Sequence, residues 1–285
     1  MTNFFSNNDG GIQLANCVKL LAVMLAVFFA PHVGAQTPAP RVTLEHTAQH
    51  SLASKATGRT YEVMVSLPRD YDALGKAYPV LYALDGWHFP FLNFMQNNST
   101  SLTRRMPPVI IVVIGHGHPP KLNEVREQDF LGPTSQPKGT SGHAEKFLEF
   151  LETELIPFID RQYRTVSSDR ALLGHSYGGG FAIYALAERP TLFQRIVCVS
   201  PSFASTREKI FDRLREQIDK LSSPVVLDIS VGTEGDLTEE AVALAFFFDS
   251  IKPGNLRRRL TVYNGENHDS VRLSAFPAGL QWVYR

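Results

Sequence analysis

Gly174-His175-Ser176-Tyr177-Gly178 is a G-x-S-x-G pentapeptide set between two segments of opposite character. Arg170 to Leu173 reads as a short buried strand, and Gly179 to Arg189 as a helix, so Ser176 is expected on a sharp strand-to-helix turn. The glycines at 174 and 178 suit such a turn, because without a Cβ the chain closes tightly while the serine takes an unfavourable backbone conformation. A hydroxyl presented this way is a poor nucleophile at neutral pH. It needs a nearby base to take its proton and a carboxylate to orient that base.

Both partners are sought downstream, in the order serine, acid, histidine. His268, in Gly265-Glu266-Asn267-His268-Asp269-Ser270, follows a late strand and precedes the last helix, which suits a general base. The acid is expected just beyond the strand Val225 to Val231, where Gly232-Thr233-Glu234-Gly235-Asp236 offers two carboxylates. Glu234 is the first choice and Asp236 the alternative. An oxyanion hole requires two backbone N–H donors. Tyr177, directly after the serine, supplies one, and Trp87 in the turn Asp85-Gly86-Trp87-His88 is favoured for the other.

Working outward, the chain alternates strand-like and helix-like segments from about Arg41, the pattern of an α/β fold with a mostly parallel sheet and helices on both faces. Val42 to Leu52 and Tyr61 to Leu67 show period-two alternation around Ala56-Thr57-Gly58-Arg59, which predicts an antiparallel hairpin at one edge. Val80 to Leu84 and Val109 to Ile114 are continuously apolar and read as central parallel strands, with further strands at Arg195 to Ser200, Val225 to Val231 and Arg259 to Tyr263. Helical periodicity covers His143 to Arg161, Tyr177 to Arg189, Arg207 to Leu221, Glu239 to Ile251 and Ser270 to Trp282. His116 to Ser141 reads as a long irregular loop. In it, an ion pair between Arg126 and Asp129 is considered, and the helix Arg207 to Leu221 is considered as a lid over the nucleophile.

The chain has 285 residues, enough for one large core. Its 28 basic and 28 acidic residues balance to a net charge of +0, which argues against nucleic acid or an anionic membrane surface as partner. Leu20 to Ala30 is an unbroken apolar run followed by Val33-Gly34-Ala35, so residues 1–35 read as a secretory signal peptide and 36–285 as a single domain. The run is short for a membrane span, and no stable anchor is expected, with retention as an uncleaved anchor the alternative. Removal of the signal would leave Cys198 alone, without an intramolecular disulfide, and read as a small buried hydrophobe. His116-Gly117-His118 lacks the further ligands that a metal site needs, so no metal is expected.

Taken together, Pro79-Val80-Leu81-Tyr82-Ala83-Leu84-Asp85-Gly86, Arg126-x-x-Asp129-Phe130, Gly174-His175-Ser176-Tyr177-Gly178-Gly179 and Asn267-His268-Asp269-Ser270 resemble the esterase branch of the α/β-hydrolase superfamily, across nearly the whole chain after residue 35. Periplasmic siderophore esterases of the enterobactin type are the most similar members. The resemblance implies an α/β-hydrolase fold, Ser176 as nucleophile, His268 as base, and N–H groups of Tyr177 and Trp87 as oxyanion hole. It also implies a small-molecule ester substrate, no cofactor, and a periplasmic or secreted location. The acid carries over less directly, between Glu234 and Asp236. An acyltransferase, or a feruloyl or short-acyl esterase, would use the same residues. A noncatalytic binding protein on a hydrolase fold is the alternative of a different class.

Overall fold

The computed structural model describes residues 44–97, 106–132, 142–221 and 223–285. The expected signal segment 1–35 lies outside them, as does most of the C-terminal part of the stretch read as an irregular loop. From Glu45 onward the chain forms one compact unit.

Eight strands form a single sheet in the order β1-β2-β4-β3-β5-β6-β7-β8. β1 (Thr47–Ala53) and β2 (Thr60–Ser66) make the expected antiparallel hairpin, with Thr47 opposite Ser66 and Ala53 opposite Thr60. β2 also runs antiparallel to β4 (Ile110–Gly115). All later pairings are parallel, from β3 (Tyr78–Leu84) beside β4 through β5 (Thr165–His175), β6 (Arg195–Val199) and β7 (Val225–Val231) to β8 (Leu256–Val262).

The apolar runs in β3 and β4 follow from burial on both faces. Val80, Tyr82 and Leu84 pack into one core layer, while Leu81 and Ala83 pack into the other. Each such fully buried aliphatic side chain contributes on the order of 1.5–3 kcal/mol. The first layer is closed by α4 (Ala144–Glu149), a π-helical stretch (Phe150–Leu155), α5 (Ile156–Gln162) and α6 (Tyr177–Glu188). α2 (Phe89–Asn97) and α9 (Val271–Val283) close the second.

Three expectations are corrected. The stretch from His116 onward is not irregular throughout, since Leu122–Phe130 is a helix, α3. Its buried residues are Arg126, Asp129 and Phe130, two of them charged, so no apolar periodicity announces it. Arg126 and Asp129 do not pair with each other; both turn inward to different partners. The helix considered as a lid, α7 (Arg207–Gln217), packs on α6 and buries Ile210, Phe211 and Leu214 in the main core. Two more helices were not foreseen, α1 (Tyr71–Leu74) and α2, and α8 (Asp236–Ile251) begins three residues earlier than its periodicity suggests.

The strand order reverses direction between β3 and β5, where successive connections leave to opposite sides of the sheet. Ligand sites of open α/β sheets lie beyond the carboxyl ends of strands at such a point. The turn from Asp85 to His88 and Ser176 are the residues found there.

Candidate active site

Ser176 follows β5 directly and has φ 60° and ψ −125°, a conformation that L residues rarely hold. It persists because the backbone is pinned on three sides. Ser176 N–H donates to Val199 O at 3.0 Å, and its carbonyl accepts from Gly180 N–H and Ser202 N–H, each at 3.0 Å. The turn also needs its glycines: a Cβ on Gly174 would fall 2.0 Å from Gly178 O, and one on Gly180 would fall 2.3 Å from Ser202 O.

His268 sits in the loop between β8 and α9. Asn267 shapes that loop, its Oδ1 accepting from Asp269 N–H at 2.9 Å and Ser270 N–H at 3.0 Å, while Ser270 Oγ accepts from Asn267 N–H at 3.0 Å. This reciprocal arrangement is of the capping kind that starts a helix. It leaves His268 Nδ1 2.7 Å from Glu234 Oε2. With a carboxylate as acceptor, Nδ1 carries the proton and Nε2 is left with its lone pair, the tautomer a general base requires. The Glu234 side chain is only 4% exposed against 37% for His268, so the acid lies beneath and the ring faces outward. Glu234 Oε1 accepts from Ser200 Oγ at 2.7 Å and from Gly232 N–H at 2.8 Å. Asp236, the alternative acid, is the exposed first residue of α8.

His175, directly before Ser176, braces the same loop. Its Nε2–H donates to the carbonyl of His268 at 2.9 Å, and the two rings lie 4.4 Å apart between centroids. Burial pushes the His175 imidazole down to about 2, and His88, in edge contact with it, down to about 3, so both are neutral.

On the other side of Ser176, Asp85 directly follows β3 at φ 68° and leads into a tight turn, Gly86–His88. Asp85 is fully buried and receives a bidentate pair from Arg126, Nε to Oδ1 at 2.7 Å and Nη2 to Oδ2 at 2.9 Å. Desolvation raises the Asp85 carboxyl, and the guanidinium opposes that rise. The Arg126 guanidinium also lies 5.0 Å from the Trp87 ring and 5.9 Å from the Tyr177 ring. One buried cation thus braces both residues expected to supply the oxyanion donors. Asp129, the other inward charge of α3, takes Arg59 Nη1 and Tyr61 OH at 2.7 Å and His116 Nε2 at 3.1 Å, tying α3 to the edge hairpin.

Beside the Gly86-Trp87 turn opens a cleft of about 240 Å³, walled by Met64, Trp87, Phe89, Pro90 and Leu122 with Glu62 among its few polar groups. Among the described residues no group of three or more His, Cys, Asp or Glu is arranged to hold a metal ion. Cys198 is fully buried, its thiol pushed well up by desolvation and its Sγ donating to Gly179 O at 3.3 Å. Of the functional neighbours, Ser200 and the Arg126–Asp85 pair were not anticipated.

Comparison with known proteins identifies the family and the fold. The family model described as "Putative esterase" matches residues 54–273. The ferri-bacillibactin esterase BesA of Bacillus subtilis is 27% identical over 256 residues, covering 80% of this chain and 86% of that protein. The siderophore enterobactin esterase of Emericella nidulans is 30% identical over 210 residues, covering 65% of this chain and 69% of its own. A crystal structure described as the BES protein from Bacillus cereus superposes with a TM-score of 0.77 at 24% identity, over 87% of this chain and 100% of that one, and shows the shared fold.

Proposed function

The chain belongs to the esterase family of α/β-hydrolases and is a carboxylic ester hydrolase; from that membership we propose that it works through a Ser176–His268–Glu234 triad and an acyl-enzyme, on siderophore esters outside the cytoplasm. The observation that carries the triad is the 2.7 Å contact from His268 Nδ1 to the buried Glu234, in a chain whose serine is held at φ 60°.

In the proposed cycle Ser176 Oγ attacks the ester carbonyl carbon while its proton passes to His268 Nε2. The carbonyl oxygen becomes an oxyanion, met by the N–H groups of Tyr177 and Trp87. Glu234 stabilises the imidazolium that forms and does not itself take the proton. Collapse of the tetrahedral intermediate breaks the bond to the alcohol, which leaves with the proton from His268. Water then repeats the sequence and releases the acid. Atoms and charge balance with ester and water alone, and any iron enters as the substrate's cargo.

Siderophore esters are favoured as substrates because the relatives named above are siderophore esterases across bacteria and fungi. The apolar cleft beside Trp87 suits an acyl or alcohol arm of such a molecule. Export is favoured by the apolar run Leu20 to Ala30 and the small residues before Gln36. Among the described residues no helix is long and apolar enough to cross a membrane.

Purified protein assayed against ferric trilactone siderophores, feruloyl esters and short acyl esters is expected to turn over the first group best. Ser176→Ala should remove turnover by about a millionfold with the fold intact. A fluorophosphonate should add to the peptide carrying Ser176 and to no other. Activity within tenfold of wild type in the alanine variant would overturn the assignment. For location, N-terminal sequencing of fractionated protein should find a start near Gln36, and an intact Met1 in the cytoplasm would reverse the export reading.

A further inference from the structure

We propose that Ser200 is a positioning residue of this active site, holding the Glu234 carboxylate so that one oxygen is reserved for His268; the inference rests on the triad reading above. Ser200 directly follows β6 and is fully buried, with φ 45°, in the left-handed region that glycine enters freely and other residues enter at a cost. Its backbone does not need the side chain, because Ser200 N–H is already bonded to Ser230 O at 2.7 Å. A glycine would therefore fit the fold at least as well. What a glycine would lack is the hydroxyl, which donates to Glu234 Oε1 at 2.7 Å.

The consequence for Glu234 is geometric. Oε1 is saturated by two donors, Ser200 Oγ–H and Gly232 N–H at 2.8 Å, and Oε2 alone faces His268 Nδ1 at 2.7 Å. A carboxylate held at one oxygen by two converging donors cannot swing about its terminal torsion. With the hydroxyl removed, Oε1 keeps only the Gly232 N–H, and the terminal torsion, which is intrinsically soft, is held less firmly against the pull of His268 on Oε2. Two residues further on, Ser202 N–H donates to the carbonyl of Ser176 at 3.0 Å. The short segment Ser200-Pro201-Ser202 therefore grips the acid at one end and the nucleophile's backbone at the other. It sets their separation without touching the substrate.

The test compares Ser200→Ala and Ser200→Gly, alone and in a Glu234→Ala background, by steady-state kinetics on the best ester and by thermal melting. Both single variants should lose about tenfold to a hundredfold in kcat, the worth of one hydrogen bond to a charged group, with KM within about twofold. Ser200→Gly should melt higher than Ser200→Ala, since both lose the same hydrogen bond and only glycine relaxes the strained position. In the Glu234→Ala background Ser200→Ala should change kcat by less than about twofold, because its effect runs through the carboxylate. Wild-type kcat in both single variants would overturn the proposal. So would an undiminished effect in the Glu234→Ala background, or kcat losses in the two single variants that differ in step with their melting temperatures. An active Ser176→Ala enzyme would instead strike the triad itself, whereas an inactive one beside a fully active Ser200→Ala would strike this inference alone.

Discussion

Glu234 and Asp236 stand two positions apart in one loop, and spacing alone ranks them only weakly. The structure separates them by burial and direction. Glu234 turns under the imidazole, and Asp236 stands exposed in the first turn of α8. Glu234→Gln should therefore reduce kcat by about a hundredfold to ten-thousandfold, through a mis-set tautomer and a lost charge. Asp236→Asn should stay within about twofold, with a stability loss of at most about 1 kcal/mol from the helix dipole. Parallel kinetics on the two variants check the ranking, and the reverse order would move the acid role to Asp236. Ser176 and His268 were legible because their neighbours demand a turn and a strand-to-helix loop. Ser200 was not, because nothing in the sequence marks a serine just after one strand as facing a carboxylate in the loop after the next.

The elements that the sequence announced are those buried by apolar side chains. β3 and β4 read as central because both their faces are covered, and the hairpin of β1 and β2 because one of its faces is not. α3 escaped because its inward face is Arg126, Asp129 and Phe130, and α2 because Phe94 stands 57% exposed among its apolar residues and blurs the stripe. The charged inward face of α3 carries a measurable load. Arg126→Met leaves the Asp85 carboxylate buried without a partner, which should cost about 3–5 kcal/mol. Adding Asp85→Asn should recover more than about 1 kcal/mol of that loss, so a double-mutant cycle by urea denaturation is the check. Simple additivity would mean that the pair is not coupled.

At the scale of the whole molecule, two buried neutral histidines couple folding to pH. His88 and His175 are pushed down to about 3 and about 2, whereas in the unfolded chain they titrate near 6.5. Their folded values are depressed, so below about pH 6.5 the unfolded state binds protons that the folded state refuses, and stability falls as pH falls. Two such groups give a ceiling of about 2.7 kcal/mol per pH unit between roughly pH 6 and 4. The raised carboxyls of Asp85 and Asp228 act in the opposite sense at the lower end of that range. Urea unfolding at pH 7, 6 and 5 should show the decline, and His88→Phe should flatten it; a flat profile in the parent protein would refute the assignment of both rings as buried and neutral. The crossing of Gly174 with Gly178 and of Gly180 with Ser202 has a consequence for change over time as well. Backbone meets backbone on that flank of the serine, and no larger residue can be admitted there without moving a strand. The cleft beside Trp87, at Met64, Phe89 and Leu122, is built of exchangeable side chains. A shift in ester preference, whether by drift or by directed evolution, is therefore channelled through that cleft, and libraries confined to its side chains should yield the altered enzymes.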